Sequence, residues 1–415
     1  MSKVIFHIDV NSAYLSWEAV YRLQQGDELD LRTIPSAVGG DPKKRNGIIL
    51  TKSIPAKKYG IKTGETLFEA FKKCPNLYVV PPSYDLYIKC SNAMVEVLQD
   101  YSPKIQRYSV DECFLDYTNM EGLFGDPIET AHIIKERIKN ELGFTVSIGV
   151  SSNKLLAKMG SDLKKPDAVT TIFPEEMPSK MWCLPVEDLF MVGRATAPKL
   201  HKLGIETIGD LANFDLNLLK YKLKSHGVLI WNYANGVDNS EVRKSNRIEI
   251  KGIGNSTTAP FDIDNYKEAH MILLSLCETV GMRLRDSGYC SRLVSVGIKT
   301  SDFGYYSHQH KFDTPTDCTQ QIYEHAKDLF NESWKGEKIR HLGVRVSEFC
   351  DNDMVQLSIF DSNNEKQRAI DTVVDKIRMK YDSRSIIRSC FLNSGIKPLM
   401  GGVGEDDYPL MSSIL

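Results

Sequence analysis

The most regular alternation of apolar and polar positions lies in the last third of the chain. In Leu293-Val294-Ser295-Val296-Gly297-Ile298-Lys299, and again in Leu342-Gly343-Val344-Arg345-Val346-Ser347, apolar residues recur at every second position. Side chains of a strand alternate between its two faces, so both stretches predict strands with one buried face. Val294, Val296 and Ile298 point inward in this reading, as do Leu342, Val344 and Val346, while Lys299 and Arg345 point away. Near the N-terminus, Val4-Ile5-Phe6-His7-Ile8-Asp9 is a short β-favouring run that ends on a carboxylate. A helix-like stretch from about Ser12 to Leu23 follows it. Strands are predicted at Ile105–Tyr108, Cys113–Tyr117 and Thr145–Val150, and a helix at Ala131–Leu142. The order is not a regular βαβ series, which predicts an α+β sheet domain.

Other regions read differently. Residues 25–75 are rich in Gly, Pro and Lys, with Gly39-Gly40-Asp41-Pro42 as a turn and Lys43-Lys44-Arg45 as a small basic cluster. Between 174 and 240, Leu200, Leu203, Ile205, Ile208 and Leu211 alternate with Gly193, Gly204 and Gly209, suggesting several short helices. Two Asp/Asn-rich loops bracket Gln356-Leu357-Ser358-Ile359-Phe360, and an amphipathic helix is predicted from Glu365 to Tyr381.

A length of 415 residues exceeds what one core usually organises and predicts two to four domains. Net charge is −2, so bulk charge gives no support to a nucleic-acid partner and any basic surface must be local. Nine cysteines without a Cys-x-x-Cys pair fit free thiols in a reducing compartment. No stretch approaches the roughly 20 apolar residues of a membrane span. The chain reads as cytosolic, with no membrane partner.

The chemistry with most content is one acid, Asp9, and an adjacent pair, Asp111-Glu112, about a hundred residues later. Consecutive strand residues face opposite ways, so the pair converges on one site only near a turn or bulge. Three carboxylates in a small volume repel unless cations lie between them, and hard oxygen donors with room for water and phosphate suit Mg²⁺. Spacing alone leaves a second reading open, with Asp111-Glu112 as a solvated hairpin tip and Asp9 as a helix cap.

The flanking residues add a resemblance. Phe6-His7-Ile8-Asp9-Val10-Asn11-Ser12-Ala13-Tyr14, Tyr108-Ser109-Val110-Asp111-Glu112-Cys113-Phe114-Leu115-Asp116 and Gly149-Val150-Ser151-Ser152-Asn153-Lys154-Leu155-Leu156-Ala157-Lys158 together resemble the Y-family (translesion) DNA polymerases, in matching order. The resemblance implies a multidomain right hand. Its palm spans 1–24 and 76–170, its fingers 25–75, and its helical thumb 171–240. An α/β little finger that binds DNA spans 245–350, and 351–415 is a C-terminal tail. It implies that Asp9, Asp111, Glu112 and the Val10 carbonyl hold two Mg²⁺ ions. Tyr14 becomes a steric gate against ribonucleotides, and Lys158 a contact of the incoming dNTP triphosphate. Ser53-Ile54-Pro55-Ala56-Lys57 resembles the fingers motif, with Ile and Lys where many members have Tyr and Arg. Ile54 can give phosphate no hydrogen bond, and Lys57 stays a candidate as a point charge rather than a fork.

Leu189 to Leu200, followed by Leu203-Gly204-Ile205, resembles a helix-hairpin-helix, which binds primer-template DNA phosphates without reading sequence. Gly193, Arg194 and Lys199 are its candidate contacts, with Met191 where the usual first glycine stands. Arg292, Lys299, Lys311 and Arg345 are weaker candidates on the later strands. Gln356, Leu357, Ile359 and Phe360 resemble the bacterial sliding-clamp-binding peptide. Asp9-Val10-Asn11, Lys57, Ile298-Lys299-Thr300-Ser301 and the 356–361 stretch lean towards the UmuC-like branch, which brings in a UmuD-like accessory subunit. Two other readings remain: a non-catalytic DNA- and clamp-binding factor that keeps the fold, and a nucleotide cyclase with a palm-like sheet. A bacterial, nucleoid-associated location follows from the polymerase reading.

Overall fold

The computed structural model describes residues 3–40, 47–243, 250–351 and 364–399, which fall into two compact units, one made mainly of residues up to 243 and one from 250 onward. The first unit opens with β1 (Ile5–Val10) and α1 (Ala13–Gln24). Next come β2 (Ser36–Gly39), β3 (Ile49–Lys52), α2 (Ile54–Lys57), α3 (Leu67–Lys73), β4 (Tyr78–Val80) and α4 (Tyr84–Gln99). The chain continues through β5 (Ile105–Arg107), β6 (Glu112–Asp116), α5 (Glu121–Phe124), α6 (Pro127–Leu142), β7 (Val146–Ser151), α7 (Lys154–Leu163) and β8 (Val169–Thr171). Four helices close the unit: α8 (Met177–Lys180), α9 (Ala197–His201), α10 (Ile208–Ala212) and α11 (Leu216–Ala234).

Five strands form the main sheet in the order β5-β6-β1-β7-β8. The central strand β1 is buried along its whole length, which explains its unbroken apolar run. Its neighbours β6 and β7 are both antiparallel to it. The region from 25 to 75, which the sequence reads only as turns and a basic cluster, contributes β2 and β3. With β4 they make a separate three-stranded sheet in the order β3-β2-β4. Strands this short carry too little periodicity to announce themselves. The short helices of 174–240 appear as expected, joined by one apolar cluster that includes Leu189, Leu200, Ile208 and Leu211.

One contact fixes α7 against the sheet. A Cβ on Gly149 of β7 would lie 1.8 Å from the Ala157 carbonyl oxygen and 2.5 Å from the Ser161 nitrogen of α7. Only glycine lets helix and strand approach so closely. Gly149→Ala is therefore expected to force α7 off the sheet and cost about 3 kcal/mol of stability. Chemical denaturation checks this, and an unchanged midpoint would refute it.

In the second unit, β9 (Gly252–Ile263), α12 (Tyr266–Asp286), β10 (Tyr289–Thr300), β11 (Tyr305–Thr316), α13 (Thr319–Ser333) and β12 (Ile339–Asp351) build an antiparallel sheet in the order β11-β10-β12-β9. Val294, Val296, Ile298, Leu342, Val344 and Val346 are all buried, and Arg345 is exposed, as the alternation predicts. The helix α14 (Asn364–Tyr381) also forms as predicted. The expected tail needs correction over 364–399: this stretch packs on the unit, and Phe391 and Ile396 enter its core. The bounds between apolar and charged runs hid this, because α14 docks mainly by charge.

Candidate active site

The register of β1 assembles the site. Asp9 stands directly opposite Glu112 of β6, and His7 opposite Phe114 of β6 and Gly149 of β7. Alternate residues share a face, so His7, Asp9, Glu112 and Gly149 all look towards α7. Asp111 lies in the turn before β6, and its carbonyl accepts a hydrogen bond from the Val10 N–H at 3.1 Å. The turn thus resolves how two consecutive acids can serve one end of the sheet.

Each acid is already engaged. Lys158 Nζ of α7 donates to Glu112 Oε2 at 2.7 Å. Lys165 Nζ is 3.0 Å from Asp9 Oδ1 and 2.7 Å from Asp162 Oδ1. The Ser109 hydroxyl donates to the Asp111 carboxylate. Burial pushes the Asp9 carboxyl up to about 7 against the pull of Lys165, with the charges of Glu112 and Asp111 adding to the rise. Burial likewise raises Asp111. It works the same way on Glu112, yet His7 and Lys158 outweigh it and hold that carboxyl down at about 2. Of the two, Lys158 is in hydrogen-bond range, whereas His7 Nε2 is 3.7 Å away. His7 is wholly buried, which lowers its pKa, and its Nδ1 meets the Ser161 hydroxyl at 2.7 Å.

Among the described residues, no three Asp, Glu, His or Cys side chains converge tightly enough to hold a metal as they stand. The donor chemistry nevertheless fits a hard divalent cation: one buried carboxylate, Asp9, and two half-buried ones, Asp111 and Glu112, whose mutual repulsion is met by the ammonium groups of Lys165 and Lys158.

The other predicted residues are placed as follows. Tyr14 on α1 stacks on Tyr87 at 4.3 Å with the rings 8° apart, edged by Trp17 and Tyr84. Lys57 is exposed at the end of α2, whose cap is the Ser53 side chain. Lys52 of β3, which sequence reasoning missed, is close enough to Lys57 for that charge to lower its pKa further, after burial. Arg194 and Lys199 are exposed on the short hairpin around α9. Met191 adopts a left-handed backbone, with φ 74°, where the usual first glycine would sit at ease. The hairpin keeps the glycine conformation without the glycine. Lys311 pairs with Glu348 at 2.9 Å. Residues 356–360 lie outside the described residues.

Lys158 is nearly buried, at 9% exposure, between Glu112 and the rings of Tyr108 and Phe190. Lys165 was missed by the sequence reading and is the more accessible of the two. Its only sequence signal is the Lys164-Lys165-Pro166 step after α7, which means nothing until β1 is placed beside it.

Residues 8–162 match the model of the impB/mucB/samB family, and 250–359 match that of the family's C-terminal domain. A DNA polymerase IV of Clostridium acetobutylicum is 51% identical over 395 residues, covering 94% of this chain and 99% of its own. The chain belongs to the Y family of DNA polymerases. It is a DinB-like bacterial member and a DNA-directed DNA polymerase of translesion synthesis and repair, and the family depends on divalent metal. A DNA polymerase IV of Acetivibrio thermocellus is 41% identical, covering 94% of this chain and 98% of its own. Among solved structures, a Y-family DNA polymerase chimera, Dbh-Dpo4-Dbh, matches with a TM-score of 0.73 at 24% identity, covering 84% of this polymerase and all of that chain. An insertion ternary complex of Dbh DNA polymerase matches at 25% identity, with a TM-score of 0.56, over 84% of this polymerase and all of that chain. These relatives overturn the lean towards the UmuC-like branch. A few short motifs were outweighed by likeness along the whole polymerase. Among the described residues no helix is long and apolar enough to cross a membrane.

Proposed function

We propose that this polymerase joins dNTPs to a primer 3′-hydroxyl at Asp9, Asp111 and Glu112, with those carboxylates and the Val10 carbonyl holding two Mg²⁺ ions. The observation that carries this is the register: Asp9 faces Glu112 on adjacent strands, with Asp111 in the turn beside them. When bound, the ions would activate the primer hydroxyl and neutralise the leaving pyrophosphate. Primer extension with Asp111→Ala is the test, and retained extension would overturn the assignment.

The chain's own residues supply the rest. Tyr14 packs against the sugar and refuses a 2′-hydroxyl by collision. Lys158 orients Glu112 from beneath, and Lys165, with Lys57 and Lys52, meets the triphosphate. Lysine serves there as a compact charge. Lys165→Ala is expected to raise the KM for dNTP about tenfold, the loss of one charge-assisted contact of about 1.4 kcal/mol, with little change in stability. Single-nucleotide incorporation kinetics check this; an unchanged KM would return the phosphate role to Lys158.

In this reading the five-stranded sheet is the palm, the three-stranded sheet belongs to the fingers, the helices of 171–240 are the thumb, and the second unit is the little finger. Gly193, Arg194 and Lys199 hold primer-template phosphates. Residues 356–360 bind the bacterial sliding clamp. A UmuD-like subunit is left out, since the branch that motivated it is not the one the relatives occupy.

A further inference from the structure

Lys158 has few oxygen partners for a charge at its depth. It is nearly buried, and among the described residues the one oxygen its ammonium bonds is Glu112 Oε2, at 2.7 Å. A lysine carries three N–H donors, and a buried donor without an acceptor is destabilising. Two rings answer the remainder. Nζ lies 5.2 Å from the ring centre of Tyr108 and 5.5 Å from that of Phe190, and the negative face of a ring stabilises an ammonium. One carboxylate and two rings therefore hold the Lys158 charge in place.

The two rings come from different parts of the first unit. Tyr108 opens the turn that carries Asp111, and its N–H donates to the Glu112 carbonyl at 2.8 Å. Phe190 belongs to the hairpin ahead of α9, where it is half-buried beside the 48% exposed Met191. Its ring meets Tyr108 edge-on at 6.3 Å and stacks on Tyr233 of α11 at 6.1 Å. Tyr108 in turn meets Phe114 of β6 at 5.5 Å. Four rings thus run from the acid hairpin to the helices of 171–240, with the ammonium beside the middle two. A cavity of about 230 Å³ opens next to Lys158, and Phe190 forms part of its wall. Without that ring the ammonium has somewhere else to go. We propose that Phe190 is a positioning residue for the polymerase reaction: its ring keeps the Lys158 ammonium on Glu112. A residue of the thumb hairpin then sets the alignment of an active carboxylate. The proposal rests on the reading of Glu112 as part of the reacting site.

Phe190→Leu keeps an apolar side chain and removes the ring face, whereas Phe190→Tyr keeps the ring. The first readout needs neither metal nor nucleotide: acetylation of Lys158 by acetic anhydride in the full metal-free chain, followed by mass spectrometry. Phe190→Leu is expected to raise that rate about tenfold through loss of one cation–ring contact, with Phe190→Tyr at the wild-type rate. The second readout is single-nucleotide incorporation. There Phe190→Leu is expected to lower kcat about fivefold with the KM for dNTP and the DNA affinity unchanged, and Phe190→Tyr to restore the rate. Added to Lys158→Met, Phe190→Leu should slow nothing further, because its effect passes through the ammonium.

An unchanged acetylation rate or an unchanged kcat in Phe190→Leu would overturn the proposal. Equal slowing of the wild type and of Lys158→Met would overturn it too, since packing alone produces that result. A raised KM with kcat held would do the same by tying Lys158 to the triphosphate. Glu112→Ala is the separate arm for the underlying reading. Retained extension in Glu112→Ala would sink that reading and the proposal with it. Extension lost in Glu112→Ala, with Phe190→Leu at wild-type values in both readouts, would sink the proposal alone.

Discussion

Asp111→Ala should lower primer extension at least about a thousandfold while leaving the fold and DNA binding in place. Metal-assisted charge stabilisation supplies several kcal/mol to a transition state, and each 1.36 kcal/mol is tenfold in rate. Loss of one of three carboxylates is therefore expected to remove about 4 kcal/mol or more. The turn holding Asp111 is tied to β1 by backbone, through the Val10 N–H and the Asp111 carbonyl. Side-chain truncation leaves that bond intact and removes a carboxylate that burial disfavours. Melting temperature and gel-shift affinity near wild type, beside absent extension, would assign the loss to chemistry. Substantial remaining extension would show that Asp9 and Glu112 suffice.

The second large effect concerns the sugar. Tyr14→Ala should raise incorporation of ribonucleotides relative to deoxyribonucleotides by about tenfold to a hundredfold, the size of a steric clash of roughly 1–3 kcal/mol. A gate excludes only if it cannot yield. The ring of Tyr14 is backed by Tyr87, which is buried and whose hydroxyl donates to Glu18 Oε1 at 2.8 Å. Trp17, also buried, closes another side. An alanine removes the obstacle and leaves this backing in place. Competition between a ribonucleotide and its deoxy counterpart measures the ratio, and unchanged selectivity would remove Tyr14 from the role.

How much of this was legible in the sequence depended on periodicity and on contact distance in the chain. Strands with one buried face, such as β10 and β12, announced themselves, because every second residue obeys the same solvent. The carboxylates were legible as a constellation, since strand ends and turns can be read locally. Lys165 was not, because its meaning comes from Asp9, 156 positions earlier, across a helix-to-sheet contact. Lys158 was assigned a triphosphate contact by motif, and its hydrogen bond to Glu112 at 2.7 Å could not be read from that motif. The docking of 364–399 was hidden for another reason: ion pairs such as Arg285–Asp375 read in sequence as ordinary solvated charges. Met191 carries its left-handed backbone without any residue-type signal, since a side chain there bears strain of roughly 1–2 kcal/mol that glycine would avoid.

The pairing of β1 on both edges also governs which insertions and deletions the gene can accept. A one-residue gain or loss within the 108–111 turn moves Asp111 relative to Glu112, and one within 5–10 shifts the pairing by one and sends every following side chain of β1 to the other face. Asp9 and Glu112 would then stand back to back, in a protein that could still fold. The β2–β3 pair already carries a register irregularity between Val38 and Gly39, far along the chain from either carboxylate. Length variation among natural variants is thus expected to collect between β2 and β3 and to be absent from the turn before Glu112.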